Sequence, residues 1–380
     1  MKGRGHAGEI GRLLCVGVRG AGPDDAVLRA DLEACAEAGV GGVILFDVDV
    51  PAWRGRVERG EDPEAAALAC PRNVVSPVQL RRLTGFIRER LGEDVLICVD
   101  QEGGRSSRLN ERRGFQAGVS AAEFAELESG QKRTEAARQA GQLADAGIDV
   151  NLVPCVDLAI DPASSVIAGK GRAFGGDIGV VIENAGIVLE ALAARGVGGC
   201  LKHFPGHGSV AGDSHEGVVD ITGTHQDREL EPYRVLLAER GAASMPQPAV
   251  MVAHVMHRGR DEELPASLSG RVIGGVLRER IGFDGVVVTD SIDMRAISDR
   301  WSAGRAAVLA VKAGVDLVID GFNLLAGRAE HPAREMAAAL REAVERGEIT
   351  AGRVGESLER LDRWRGSLRQ ARSAQTEGKA

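Results

Sequence analysis

Short apolar runs alternate along the chain with longer amphipathic segments. Eight runs stand out: residues 13–18 (LLCVGV), 40–46 (VGGVILF), 94–100 (DVLICVD), 149–155 (DVNLVPC), 197–204 (VGGCLKHF), 249–255 (AVMVAHV), 283–290 (FDGVVVTD) and 315–320 (VDLVID). Each is rich in Val, Ile and Leu and too short for a helix. Such near-continuous runs suit parallel strands covered on both faces, which have no solvent side for polar residues to occupy.

Between the runs lie helix-length segments with helical periodicity. Residues 24–38 open on Asp24 and Asp25 and stop before Gly39; residues 77–91 follow Ser76, with Pro77 in the first turn. Segments 131–146, 178–195, 226–240, 269–281 and 303–313 lead to Gly147, Gly196, Gly241, Gly282 and Gly314. Glycine leaves a helix C-terminus at little steric cost, so helix, glycine, strand is the punctuation of αβ loops. Eight βα units predict the α/β class and a (β/α)8 TIM-type barrel, as one domain over residues 1–370. A doubly wound open sheet is the alternative, but no GxGxxG follows the first run. Residues 333–368 predict one or two extra helices outside the barrel. The small, polar residues 371–380 predict a frayed tail. Residues 51–75 form a long, charged connection after the second run, either functional or merely mobile.

Composition narrows the function classes. Lys plus Arg total 47 against 55 Asp plus Glu, a formal charge of −8 over 380 residues, which argues against a nucleic-acid partner. Aromatics are only 3%, with Tyr233 the single tyrosine, so no stacking track for nucleic acid or a long polysaccharide is expected. No run is long and apolar enough to span a membrane, and the N-terminus lacks the apolar core of a signal peptide. None of the six cysteines forms a CxxC pair, and Cys15, Cys98, Cys155 and Cys200 sit inside apolar runs. That usage predicts reduced, buried thiols in a cytoplasmic protein.

Candidate chemistry lies where a parallel barrel places it, at the C-terminal ends of the strands. The third run ends in Asp100, followed by Gln101, Glu102, Gly103, Gly104 and Arg105; the fifth holds Lys202 and His203; the sixth holds His254; the seventh ends in Asp290 and the eighth in Asp320. Core packing has no use for charge repeated at that position. His203, His207, Asp213 and His215 share one Gly- and Pro-rich stretch. A metal reading of His203 and His207 is weakened by Pro205 and Gly206, which break the helix their spacing would suit. In an acid–base reading, Asp213 and His215, two apart in an extended chain, point the same way, and the carboxylate orients the imidazole. With Asp290 as nucleophile, this is a device for displacement at an acetal carbon. The structural alternative for Asp290 is a cap on the following helix. Glu102 reads as a partner of backbone amides or Arg105, Asp293 as a helix-start residue, and Asp320 has no assigned role.

The segments ICVDQEGGRSSRL, NLVPCVDL, GRAFG, CLKHFPGHGSVAGDSH, MVAHV, LPASLS and GFDGVVVTDSIDM occur in that order. Together they resemble family 3 glycoside hydrolases, in the β-N-acetylglucosaminidase branch, from about residue 12 to about residue 320. The resemblance implies that Asp290 is the nucleophile, His215 the general acid/base and Asp213 its partner. It implies that Asp100, Arg108, Arg172, Lys202 and His203 bind the sugar and that His254 lines the pocket. It further implies a retaining exo-glycosidase that releases terminal β-linked N-acetylglucosamine from small soluble glycans such as peptidoglycan fragments. No cofactor, metal, membrane or nucleic acid is implied, and the chain is expected to be a monomer or weak homo-oligomer. A glycoside phosphorylase of the same family and a non-catalytic sugar-binding barrel are the rival readings. Residues 47–75 replace a shorter connection in the family pattern, and SSRLNERRGFQAGVS lacks the proline-containing segment common after EGGR. Both departures border the expected substrate mouth.

Overall fold

The computed structural model describes residues 8–161, 164, 166–209, 212, 217–241, 245–328 and 330–377. Its strands are β1 (Leu14–Gly17), β2 (Gly42–Leu45), β3 (Leu96–Val99), β4 (Val150–Asn151), β5 (Cys200–Phe204), β6 (Val219–Asp220), β7 (Ala249–Val252), β8 (Val255–Met256), β9 (Val287–Thr289) and β10 (Val318–Asp320). Each of the eight apolar runs holds a strand, and the strand residues from those runs are buried throughout. Strands β10-β1-β2-β3-β4 and β5-β7-β9 form two parallel arrays.

Single bridges close the two seams. At the first, Asn151 N–H donates to the Gly198 carbonyl (2.9 Å) and Gly198 N–H to the Asp149 carbonyl (2.8 Å). At the second, Thr289 N–H donates to the Leu317 carbonyl (3.2 Å) and Leu317 N–H to the Val287 carbonyl (3.1 Å). Eight parallel strands thus make a ring with a filled interior, the TIM-type barrel expected from the pattern. Strands β6 and β8 pair separately, Val219 with Val255 and Asp220 with Met256.

The surrounding helices begin and end for local reasons. The side chains of Asp25, Ser76, Asp177 and Ser302 accept N–H groups of the first turns behind them. Gly39 and Gly314 end their helices at φ 70° and 111°, in the left-handed region glycine tolerates. The 269–281 segment is a π-helix over Arg271–Arg280.

The connection after β2 is ordered as two helices, Val50–Glu58 and Pro63–Ala69, each behind an aspartate cap. Two further helices follow the barrel, Pro332–Glu345 and Ala351–Glu377. The last runs through Glu377, past the point where fraying was expected. Arg372 accounts for the extension: it binds Asp149 (2.6 Å) and the Gly196 carbonyl (2.9 Å). Farther up the same helix, Arg353 binds Asp316 (2.6 Å) and Arg365 binds the Gly41 carbonyl (2.9 Å). Asp149, Asp316 and Gly41 precede β4, β10 and β2, so this helix closes the N-terminal end of the barrel. All six cysteines are buried and free of disulfides. Among the described residues, no helix is long and apolar enough to cross a membrane.

Candidate active site

The C-terminal strand ends surround a cavity of about 400 Å³. Asp100, just after β3, and Asp290, just after β9, both line it, together with Arg108. Two carboxylates that lie 190 positions apart in the chain therefore face one space.

Asp290 is placed by the sheet. Its N–H donates to the Val252 carbonyl (3.0 Å), continuing the β7–β9 ladder. Its Oδ1 accepts the Ser291 N–H (2.7 Å). Ser291 is itself fixed at three points. His254 Nε2 lies 2.9 Å from the Ser291 carbonyl oxygen, and Ser291 Oγ donates to Asp293 Oδ1 (2.6 Å) and accepts the Gly321 N–H (2.7 Å). A carbonyl only accepts, so His254 Nε2 carries a proton. The other ring nitrogen meets Ser267 Oγ at 2.7 Å. His254 is fully buried and stands behind Ser291, not on the cavity wall where the resemblance put it. Asp293 is not a helix-start residue. Its Oδ2 accepts the N–H groups of Asn323 (2.9 Å) and Leu324 (3.0 Å), locking the loop after β10 to the loop after β9.

Under the cavity runs a buried chain of charges. Lys202 Nζ lies 2.7 Å from Asp100 Oδ1 and 2.7 Å from Glu102 Oε1. Arg172 grips Glu102 through both carboxylate oxygens, each at 2.7 Å. Glu102 thus differs from its sequence reading: its partners are Lys202 and Arg172, not Arg105. Burial opposes ionisation of Glu102, but the charges of Arg172 and Lys202 outweigh it and hold the carboxyl well below the usual range. Burial likewise disfavours charge on Lys202, and Asp100 and Glu102 overcome it, raising its pKa.

The chain of contacts continues to His203. Arg172 Nη2 lies 3.1 Å from His203 Nε2, and a guanidinium only donates, so this imidazole nitrogen accepts. His203 Nδ1–H then donates to Asp157 Oδ2 (2.6 Å). Asp157 also accepts the His207 N–H (2.8 Å), which shapes the turn between the two histidines. Burial opposes ionisation of Asp157, yet its contacts with His203 and then His207 hold its carboxyl down at about 2. Asp157 was not singled out in the sequence. The signal was present, an acidic residue two places beyond the fourth apolar run.

Cys155, Asp157 and His203 offer donor atoms within 4.8 Å of one another. The set does not suit a cation. Burial and Asp157 push the Cys155 thiol well above its ordinary pKa, and its sulfur already donates to Asp157 Oδ2 (3.3 Å). The Asp157 oxygens are occupied by N–H donors, and Arg172 brings a positive charge to the His203 ring.

Arg108 lines the cavity wall, with its guanidinium 5.5 Å from the Phe46 ring centroid and 3.9 Å from Asp47. Lys202 grips Asp100 from below, and Arg172 and His203 stand behind it, linked through Glu102. Asp213 and His215 lie outside the described residues. Asp320 is buried and bound by Arg328 (3.0 and 3.1 Å); burial, then the charge of Asp293, pushes its carboxyl up to about 7.

Sequence relatives agree with this architecture. Residues 8–364 match the glycosyl hydrolase family 3 N terminal domain. The chain is 34% identical over 258 residues to a beta-hexosaminidase of Methylobacillus flagellatus, covering 65% of this chain and 70% of that protein. It is 37% identical over 236 residues to beta-hexosaminidase LpqI of Mycobacterium tuberculosis, covering 59% of this chain and 57% of LpqI. Among solved structures, a glycoside hydrolase family 3 beta-N-acetylglucosaminidase from Paenibacillus sp. superposes with a TM-score of 0.77 at 30% identity, over 96% of this chain and 62% of that one. A beta-N-acetylhexosaminidase from Beutenbergia cavernae gives 0.74 at 26% identity, over 94% and 97%. The chain belongs to glycosyl hydrolase family 3 and is a glycoside hydrolase of its β-hexosaminidase group.

Proposed function

We propose that the protein is a retaining exo-β-N-acetylglucosaminidase acting on small soluble glycans such as peptidoglycan fragments. The observation that carries this reading is the shared cavity of Asp100 and Asp290, with Asp290 held on one oxygen by Ser291 N–H. In the first step the Asp290 carboxylate attacks the anomeric carbon, and the bond to the leaving oxygen breaks. His215, oriented by Asp213, gives that oxygen its proton. In the second step His215 takes a proton from water, whose oxygen displaces Asp290 and regenerates the carboxylate. The two displacements return the original anomeric configuration.

Asp100 accepts hydrogen bonds from sugar hydroxyls, and Lys202 fixes its orientation. Arg108 supplies a donor on the cavity wall. Arg172 and His203 hold the underlying charges in place, which keeps the site ordered before the sugar arrives. No step in this scheme requires a metal ion.

Product analysis on an aryl β-N-acetylglucosaminide tests the reading. The β-anomer of free N-acetylglucosamine is expected first, with or without phosphate and with or without a chelator. Sugar 1-phosphate as the main product would make the enzyme a phosphorylase. An α-anomer, loss of activity to the chelator, or binding without turnover would each overturn the proposal.

A further inference from the structure

We propose that the 47–75 connection forms the leaving-group half of the cavity, with Trp53 as its platform and Arg105 as its ionic contact; this rests on the glycosidase reading above. The cavity has two walls of different origin. Asp100, Arg108 and Asp290 stand on the barrel side, whereas Trp53, Pro63 and Ala67 come from the two helices of the connection. The barrel side accounts for the sugar that is cleaved. The second wall faces whatever is attached to it.

This wall is built, not slack. Trp53 Nε1–H donates to the Pro63 carbonyl (3.1 Å), which fixes the indole and joins one helix to the other. On one flank, Val50 N–H donates to Asn323 Oδ1 (3.1 Å), and Asn323 Nδ2 donates to the Val48 carbonyl (3.0 Å). Arg72 binds Asp49 (3.0 Å) and the Phe322 carbonyl (2.6 Å). On the other flank, Arg113 donates to the Ala67 carbonyl (2.8 Å). The loops after β10 and β3 thus hold the segment from both sides. A surface fixed this way loses little conformational freedom on binding, which favours a recognition role over that of a spacer.

Its chemistry indicates the class of leaving group. A pyranose ring presents a face of C–H groups, and the indole face is the apolar surface that complements it. Arg105 adds charge. It stands in the tight turn where Gly103 and Ser106 bridge, and Gly103 there adopts φ 92°. A Cβ on Gly103 would lie 1.9 Å from the Val119 carbonyl oxygen, so only glycine permits this turn. Arg105 is exposed, lines the cavity, and has no hydrogen bond or ion pair among the described residues. Arg112, by contrast, is paired with Glu64. The wall therefore suits a ring-shaped leaving group with an apolar face, and favours one that carries a carboxylate.

The test compares two donors of the same sugar. One is a β-linked N-acetylglucosamine disaccharide; the other is N-acetylglucosaminyl fluoride, whose leaving group is too small to reach Trp53. For Trp53→Ala the ratio of kcat/KM, disaccharide to fluoride, is expected to fall about tenfold, and Trp53→Phe is expected to retain most of it. For Arg105→Gln, kcat/KM on a leaving group bearing a carboxylate is expected to fall about threefold relative to its methyl ester. Both ratios staying at their wild-type values would overturn the proposal and leave the glycosidase reading standing. A wild-type enzyme that turns over neither donor would overturn both.

Discussion

His254 Nε2 donates to the carbonyl of Ser291 at 2.9 Å, and the N–H of the same Ser291 donates to the Asp290 carboxylate at 2.7 Å. A fully buried imidazole therefore positions Asp290, the proposed nucleophile, through one intervening residue. His254→Ala leaves that carbonyl without its buried donor, a loss of about 1–3 kcal/mol. If the loss falls on the transition state, kcat drops by about 5- to 150-fold while KM changes little. His254→Gln, which restores a donor, is expected to recover part of kcat. A change confined to KM would place His254 in contact with the sugar instead.

Glu102 compensates two buried cations, Lys202 and Arg172. Glu102→Gln removes the charge and keeps the shape. Breaking a buried ionic cluster in this way costs about 3–5 kcal/mol, because charges left behind are poorly matched. The expected outcome is a lower Tm together with weaker binding of N-acetylglucosamine, since Lys202 then orients Asp100 less firmly. Unchanged Tm in the variant would show that Lys202 and Arg172 find other partners.

The pH dependence of stability carries two opposite contributions. Asp157 is held at about 2 in the folded protein, below the unfolded value of about 4. Its contribution is present above about pH 4 and is lost as pH falls toward 2. Asp320 is raised to about 7. Between about pH 4 and 7 the folded state keeps a proton that the unfolded state releases, so this group lowers stability as pH rises through that window. Chemical denaturation across pH separates the two. The difference between wild type and Asp157→Asn is expected to shrink below pH 4, and that between wild type and Asp320→Asn to change sign or slope between pH 4 and 7.

The strands were legible because burial on both faces writes itself into sequence as unbroken apolar runs. Asp100 and Asp290 were legible as candidates because charge at a strand end has no packing explanation, and both line the cavity. Glu102 was misread because its partners lie 70 and 100 positions away, where local pattern carries no information. Asp157 went unassigned for the same reason: its partner His203 is 46 positions on. The two helices after β2 were read as a bare connection because they bury little. Val50–Glu58 has no buried residue and Pro63–Ala69 buries only Ala66 and Ala67, so no apolar stripe marks them. Asp49 and Asp62, with Pro51 and Pro63 behind them, were the cap signals available. The last helix extends past 371 because Arg372 finds Asp149, a long-range ion pair that small, polar neighbours do not announce.

The central claim is covalent catalysis by Asp290. 5-Fluoro-N-acetylglucosaminyl fluoride suits the test, because its ring fluorine slows both steps while fluoride departs readily. After incubation and proteolysis, mass spectrometry is expected to find one glycosyl adduct, on the peptide VVVTDSIDM and at Asp290. An adduct at another residue, or none in an enzyme that hydrolyses the unfluorinated donor, would contradict the account.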